Sequence, residues 1–177
     1  MAERRFLCGA FALFAVASLA LAGCRDSGKE SEHFELSGRL FVFNYRVATV
    51  QYLVTLRPLK PVGEGEVAIA TFENPDGGEA LVVRQQIWPL NDKVTINSPP
   101  LECVVKDRPY KVSIRIEDAK GGVMQSLETT MVSAQDQSVL PDKPLVVGPL
   151  YEPNPELKGH PGGHLPGGRG VTCPPAA

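Results

Sequence analysis

The sequence predicts an all-β fold, a single immunoglobulin-like or fibronectin-like β-sandwich of about seven or eight strands. Three observations carry that prediction. From Tyr110 to Ile116 the chain alternates strictly: Tyr110, Val112, Ile114 and Ile116 share one face, and Lys111, Ser113 and Arg115 share the other. That is the period of a strand with one dry and one wet side. Clusters of Pro, Gly, Asn and Asp recur between short apolar runs, roughly every ten residues. No segment of helical length shows a 3.6-residue apolar period.

Taken in order, residues 33–57 hold one or two strands. Leu40-Phe41-Val42-Phe43 is apolar on both faces, the pattern of a central or covered strand. Val50, Tyr52, Val54 and Leu56 alternate with Gln51, Leu53, Thr55 and Arg57, and Pro58 stops the run. A Pro/Gly loop from Leu59 to Gly65 precedes a strand from Glu66 to Phe72. Asn74-Pro75-Asp76-Gly77-Gly78 then turns the chain into a strand from Ala80 to Trp88. Val94 and Ile96 give a short strand, broken by Ser98-Pro99-Pro100. Leu101, Cys103 and Val105 alternate and predict one more. Pro109 opens the Tyr110 strand, where its missing N–H does least harm. Asp118-Ala119-Lys120-Gly121-Gly122 predicts a hairpin loop into a returning strand from Val123 to Val132. Val139 to Val147 predicts the closing strand, interrupted by Pro141 and Pro144. The domain is thus bounded at 33–150. Tyr110, opening its strand, resembles the tyrosine corner of immunoglobulin and fibronectin-type sandwiches, whereas the antibody-type Cys–Trp–Cys spacing is absent.

The flanks differ in composition. Pro149 to Ala177 holds seven prolines and six glycines, too little apolar area to offset its ordering entropy, so 151–177 is expected to be an extended, mostly disordered tail. Residues 1–23 have the layout of a secretory signal peptide. Arg4-Arg5 form the charged start, Phe6 to Ala22 is apolar, and small residues precede the cut. Cys8, inside that run, is one more small apolar residue. Leu21-Ala22-Gly23-Cys24 resembles the lipobox of bacterial lipoproteins. The resemblance implies a diacylglyceryl group and an acylated amino end on Cys24. Arg25 stands where an Asp would imply retention in the inner membrane, so the expected site is the bacterial envelope, lipid-anchored at the outer membrane and facing the periplasm. Residues 24–32 form a short polar tether that keeps the domain near its membrane.

Composition narrows the function classes. The chain has 177 residues, 43% hydrophobic, which suits one domain with a real core. A net charge of -2 without a basic stripe argues against nucleic acid. There is no Gly-x-Ser-x-Gly elbow, phosphate loop or His-Glu-x-x-His, and the predicted core has no histidine base. The chain is accordingly expected not to be an enzyme, and no cofactor is implied. His160 and His164, on a Pro/Gly tail without supporting residues, do not predict a metal site. Cys103 and Cys173 either pair in the oxidising periplasm or remain one buried and one free tail thiol, and the sequence weighs both alike. Trp88, together with Leu40, Phe41, Phe43 and Tyr45, is a candidate surface for a protein partner. The competing assignment, favoured for Trp88, is core.

The overall layout is similar to small envelope lipoproteins of the YscW-type pilotin, or lipoprotein chaperone, family of type III secretion. Ser37-Gly38, Tyr45-Arg46, Val54-Thr55-Leu56 and Tyr110 to Ile114 carry the likeness, over 36–148. It implies a non-catalytic, pilotin-like adaptor that binds an envelope protein. The alternative is a small-molecule or lipid carrier or sensor, with an enzyme behind both.

Overall fold

The computed structural model describes residues 32–175; the signal peptide, Cys24 and nearly all of the expected tether lie outside them. Seven strands form the sandwich: β1 (Phe34–Asn44), β2 (Thr49–Pro58), β3 (Val67–Phe72), β4 (Leu81–Gln86), β5 (Val94–Asn97), β6 (Pro109–Glu117) and β7 (Val123–Val132). One sheet has the order β1-β2-β5 and the other β4-β3-β6-β7. All neighbours are antiparallel. Two further strands of two residues each, β8 (Val146–Val147) and β9 (Glu152–Pro153), pair with each other. The all-β sandwich is therefore the observed fold.

Alternation makes the core. Val50, Tyr52, Val54 and Leu56 of β2 meet Ala68, Ala70 and Phe72 of β3 and Tyr110, Val112, Ile114 and Ile116 of β6, all fully or almost fully buried. At its centre the Tyr52 and Phe72 rings stack, with centroids 5.2 Å apart and planes 5° from parallel. Phe41 and Tyr110 meet Tyr52 at inclined angles. Burial of aromatic area on this scale dominates a small core's stability. Each phenol keeps a polar partner: Tyr52 donates to the Glu73 carbonyl at 3.0 Å, and the Val105 N–H donates to the Tyr110 hydroxyl oxygen at 2.8 Å. The second bond is the tyrosine-corner arrangement expected of Tyr110. Burial, and behind it the neighbouring Tyr110 and Glu73, pushes the Tyr52 phenol far above the ordinary tyrosine range.

No backbone ladder joins β1 to β7, yet two side-chain rungs cross between them and a third joins the residues just beyond their ends. Gln125 Oε1 accepts from the N–H groups of His33 and Phe34, and its Nε2 donates to the Phe34 carbonyl, all at 2.8 Å. Arg39 donates to Thr129 Oγ1 at 2.7 Å, and Tyr45 to Gln135 Oε1 at 3.2 Å.

The β6–β7 loop follows the sequence closely. Asp118 Oδ1 accepts from the N–H groups of Gly122 and Lys120, each at 2.8 Å, and Gly121 takes φ 82°. Those bonds, Gly122's first, hold the Asp118 carboxyl below its ordinary value. A carboxyl lowered by folding stabilises above its unfolded value and loses that contribution as pH falls through its folded value. Amide exchange protection at Lys120 and Gly122 is therefore expected to hold from pH 7 down to about 4 and then drop. In Asp118→Asn the step should vanish; an unchanged step in that variant would refute the assignment.

Several expectations fail. Leu40 to Phe43 lies on an edge strand rather than a central one, and Leu40 is half exposed. Residues 98–108 form no strand, because Cys103 and Asp107 take positive φ (64° and 61°), which breaks an extended run. In place of a closing strand over 139–147 there is a 3-10 turn at Gln137–Val139, the prolines, and the two-residue β8.

The tail departs most from its composition. Far from a disordered extension, 151–175 packs back on the domain. Cys103 and Cys173 form a disulfide with Cα atoms 5.4 Å apart, which resolves the open alternative. The largely buried Arg169 guanidinium donates to the carbonyls of Pro141 at 2.6 Å and Ala48 at 3.1 Å, and to Glu102 Oε1 at 3.3 Å. Asn154 Nδ2 donates to the Pro144 carbonyl at 2.8 Å. Gly163 has φ 76°, and a Cβ there would sit 2.5 Å from Pro141, so only glycine permits this approach. Long-range polar contacts and a covalent bond thus supply what apolar burial does not.

Candidate functional site

An open groove of about 700 Å³ lies on the outer face of the four-stranded sheet, with polar side chains around a largely apolar lining. Strand register builds it. Thr71 of β3, Ser113 of β6 and Glu128 of β7 are consecutive cross-strand partners. The row spans roughly 10 Å, because strands lie about 4.8 Å apart. One row further along, Lys111 is opposite Thr130. Alternation turns Lys111, Ser113, Glu128 and Thr130 outward while Val112 and Ile114 fill the core. Ala80, in the loop before β4, forms part of the wall.

The groove is electrostatically divided. Glu73 is fixed: its Oε1 accepts from Arg108 at 3.1 Å and its Oε2 from the Lys111 N–H at 3.0 Å. Arg108 in turn lies over the Tyr110 ring, 4.9 Å from its centroid. The Glu128 side chain is exposed and makes no hydrogen bond or ion pair among the described residues. The groove therefore offers one pre-positioned and one available carboxylate, three hydroxyls and an ammonium, set among the methyl groups of Thr71, Ala80 and Thr130. Among the described residues no group of His, Cys, Asp and Glu is placed to hold a metal ion.

The residues singled out in the sequence lie elsewhere. Leu40, Phe41, Phe43 and Tyr45 line a second cleft of about 470 Å³ between β1 and residues 132–135. Phe41 and Phe43 lean into the core, while Leu40 and Tyr45 stay about half exposed. Trp88 corrects the core assignment: it is 60% exposed in the loop after β4, and Leu90 beside it is 95% exposed. It shares no site with the β1 aromatics. Cys103 and Cys173 are structural partners. The groove residues of the four-stranded sheet were not singled out in the sequence, since they meet only through the pairing order β3-β6-β7. Wet-face hydroxyls and carboxylates on neighbouring strands are their only sequence signal.

No family model and no curated protein matches the chain. Among solved structures, it is similar to an endonuclease/exonuclease/phosphatase protein of Beutenbergia cavernae, with a TM-score of 0.34 and 13% identity, over 55% of this chain and 26% of that one. The chain thus spans about a quarter of that protein's length. The pilotin-like, non-catalytic adaptor expectation is corrected, together with its carrier or sensor alternative: no family model or curated protein supports either, and the solved structure described above is an endonuclease/exonuclease/phosphatase. At this TM-score the likeness carries no activity over to the chain.

Proposed function

We propose that this chain is a lipid-anchored β-sandwich of the bacterial envelope that recognises a polyhydroxylated ligand, a glycan strand, on the outer face of its four-stranded sheet. The groove over Thr71, Ser113, Glu128, Lys111 and Thr130 is the observation that carries the reading. A sugar presents hydroxyls that both donate and accept, and C–H faces that are apolar. A carboxylate accepts from such hydroxyls, serine and threonine do both, and an ammonium donates. Threonine methyls suit the C–H faces. The row of about 10 Å accommodates two pyranose rings side by side.

The anchor is supported by the lipobox-like Leu21-Ala22-Gly23-Cys24 behind its charged and apolar regions. The disulfide supports an oxidising compartment, since structural disulfides persist outside the cytosol.

Titration with a panel of chitotetraose, cellotetraose and maltotetraose, followed by amide NMR, tests the ligand class. At least one sugar is expected to shift the amides of Ser113, Glu128 and Thr130 at millimolar concentration. Glu128→Ala should weaken that binding at least tenfold, because it removes the available charged acceptor. If none of the sugars perturbs these three amides, the glycan reading is wrong.

A further inference from the structure

Strand register places one set of loops at the end of the sandwich where the described chain begins. Phe34 is opposite Pro58, and Leu56 opposite Val94. Val67 is opposite both Gln86 and Glu117, and Glu117 opposite Val123. The Gln125 rung to His33 and Phe34 ties the two sheets together at this same end. The loops at 59–66, 87–93 and 118–122 therefore surround the point where the chain enters at His33. Leu59 N–H even donates to the His33 carbonyl, at 2.8 Å.

This end exposes large apolar side chains that a free surface does not need. Leu59 is 42%, Trp88 60%, Leu90 95% and Val123 59% exposed. The Trp88–Leu90 segment is a built tip. Asn91 N–H donates to the Trp88 carbonyl at 2.9 Å, closing a turn with Pro89 at its second position. Its base is pinned by Ile87, fully buried, whose N–H donates to the Glu66 carbonyl at 2.9 Å. A rigid turn that projects a Trp and a Leu into solvent is a contact device rather than a gap in packing.

Chain length identifies what it contacts. Eight residues lie between Cys24 and His33, and the nine steps from one to the other reach at most about 30 Å fully extended. β1 alone, eleven residues long, covers roughly 33 Å. With lipid on Cys24 held in a bilayer, the Trp88 end reaches it readily, whereas turning the far end, with its exposed Leu150 and Tyr151, toward that bilayer would use the whole reach of the tether. Trp suits the interfacial layer, with an apolar ring and an N–H that can stay hydrated. In the three loops at this end Lys60, Lys93 and Lys120 stand against Glu64, Glu66, Asp92 and Asp118, a near balance without a block of like charge.

We infer that the Trp88–Asn91 turn is a membrane-contacting tip that seats Trp88 and Leu90 in the interfacial layer of the bilayer anchoring Cys24. This rests on the lipid-anchor reading above. It orients the domain: the sandwich stands on this end, and the Lys111–Thr130 end of the groove points away from the lipid.

Trp88 is the only tryptophan in the chain, so its fluorescence reports one site. The test uses the full-length protein purified from membranes and reconstituted into phosphatidylcholine/phosphatidylglycerol vesicles, with intact-mass analysis of the peptide beginning at Cys24. Blue-shifted emission, quenched at least twofold by lipids carrying a nitroxide high on the acyl chain, is expected. Leu90→Glu, at a position too exposed to disturb folding, should return the emission to longer wavelength and abolish the quenching. If Cys24 is acylated yet nitroxide lipid does not quench Trp88, the tip inference fails and the anchor stands. A blue shift without lipid quenching places protein over Trp88 and equally overturns the tip. An unacylated Cys24 removes the anchor and the tip together.

Discussion

Replacing Cys103 and Cys173 together with serine is expected to destabilise the domain by about 4 kcal/mol. The bond joins residues 70 apart in sequence, and closing a loop of that length removes about this much chain entropy from the unfolded state. For a domain of this size the melting temperature should fall by roughly 10 °C. Thermal unfolding of the variant, and of the wild-type protein with and without reductant, checks this. Matching melting temperatures in oxidised and reduced protein would show that the bond contributes nothing. The loss should be concentrated in the tail, because Cys173 is its covalent attachment, with Arg169 and Asn154 adding hydrogen bonds. Exchange protection near Leu157 and Leu165 should collapse before that of β6.

Phe72→Ala is expected to cost about 3–5 kcal/mol, the range for removing a buried phenylalanine. Phe72 is fully buried and stacked on Tyr52, at the point where the two sheets meet. The cavity it leaves is walled by strands from both layers, so it cannot collapse without moving a sheet. Denaturant unfolding should show a lower midpoint with an unchanged slope, the signature of lost stability in an intact native fold. A cost under about 1 kcal/mol would mean that the aromatic cluster repacks around the gap.

The strands with one wet face were legible because alternation is a local property. β2, β3, β6 and β7 follow their periods almost to the residue. What failed depends on long-range partners. Nothing local marks Cys103 and Asp107 for positive φ, so 98–108 read as a strand. The Pro/Gly composition of the tail says how little apolar area it can bury, but not that Arg169 finds three oxygens or that Cys173 finds Cys103. A lone tryptophan is more often buried, and only the turn geometry reveals that Trp88 projects outward. The groove was hidden for the same reason as the strand order: Thr71, Ser113 and Glu128 are neighbours across a sheet and distant along the chain.

The rungs between β1 and β7 have a consequence for how copies of this protein coexist at high density. A strand edge with unpaired N–H and C=O groups is a template on which another chain can crystallise as β-structure. Gln125 occupies the N–H and C=O of Phe34 with a side-chain amide, imitating the partner strand that an aggregating copy would otherwise supply. Arg39 and Tyr45 reach across the same flank toward β7 and its continuation. Protein packed laterally along a two-dimensional surface meets its neighbours edge to edge far more often than protein diluted in three dimensions. If the lipid anchor proposed above holds the protein on such a surface, a flank capped at Phe34 in this way favours a fluid population of separate molecules over a growing fibril.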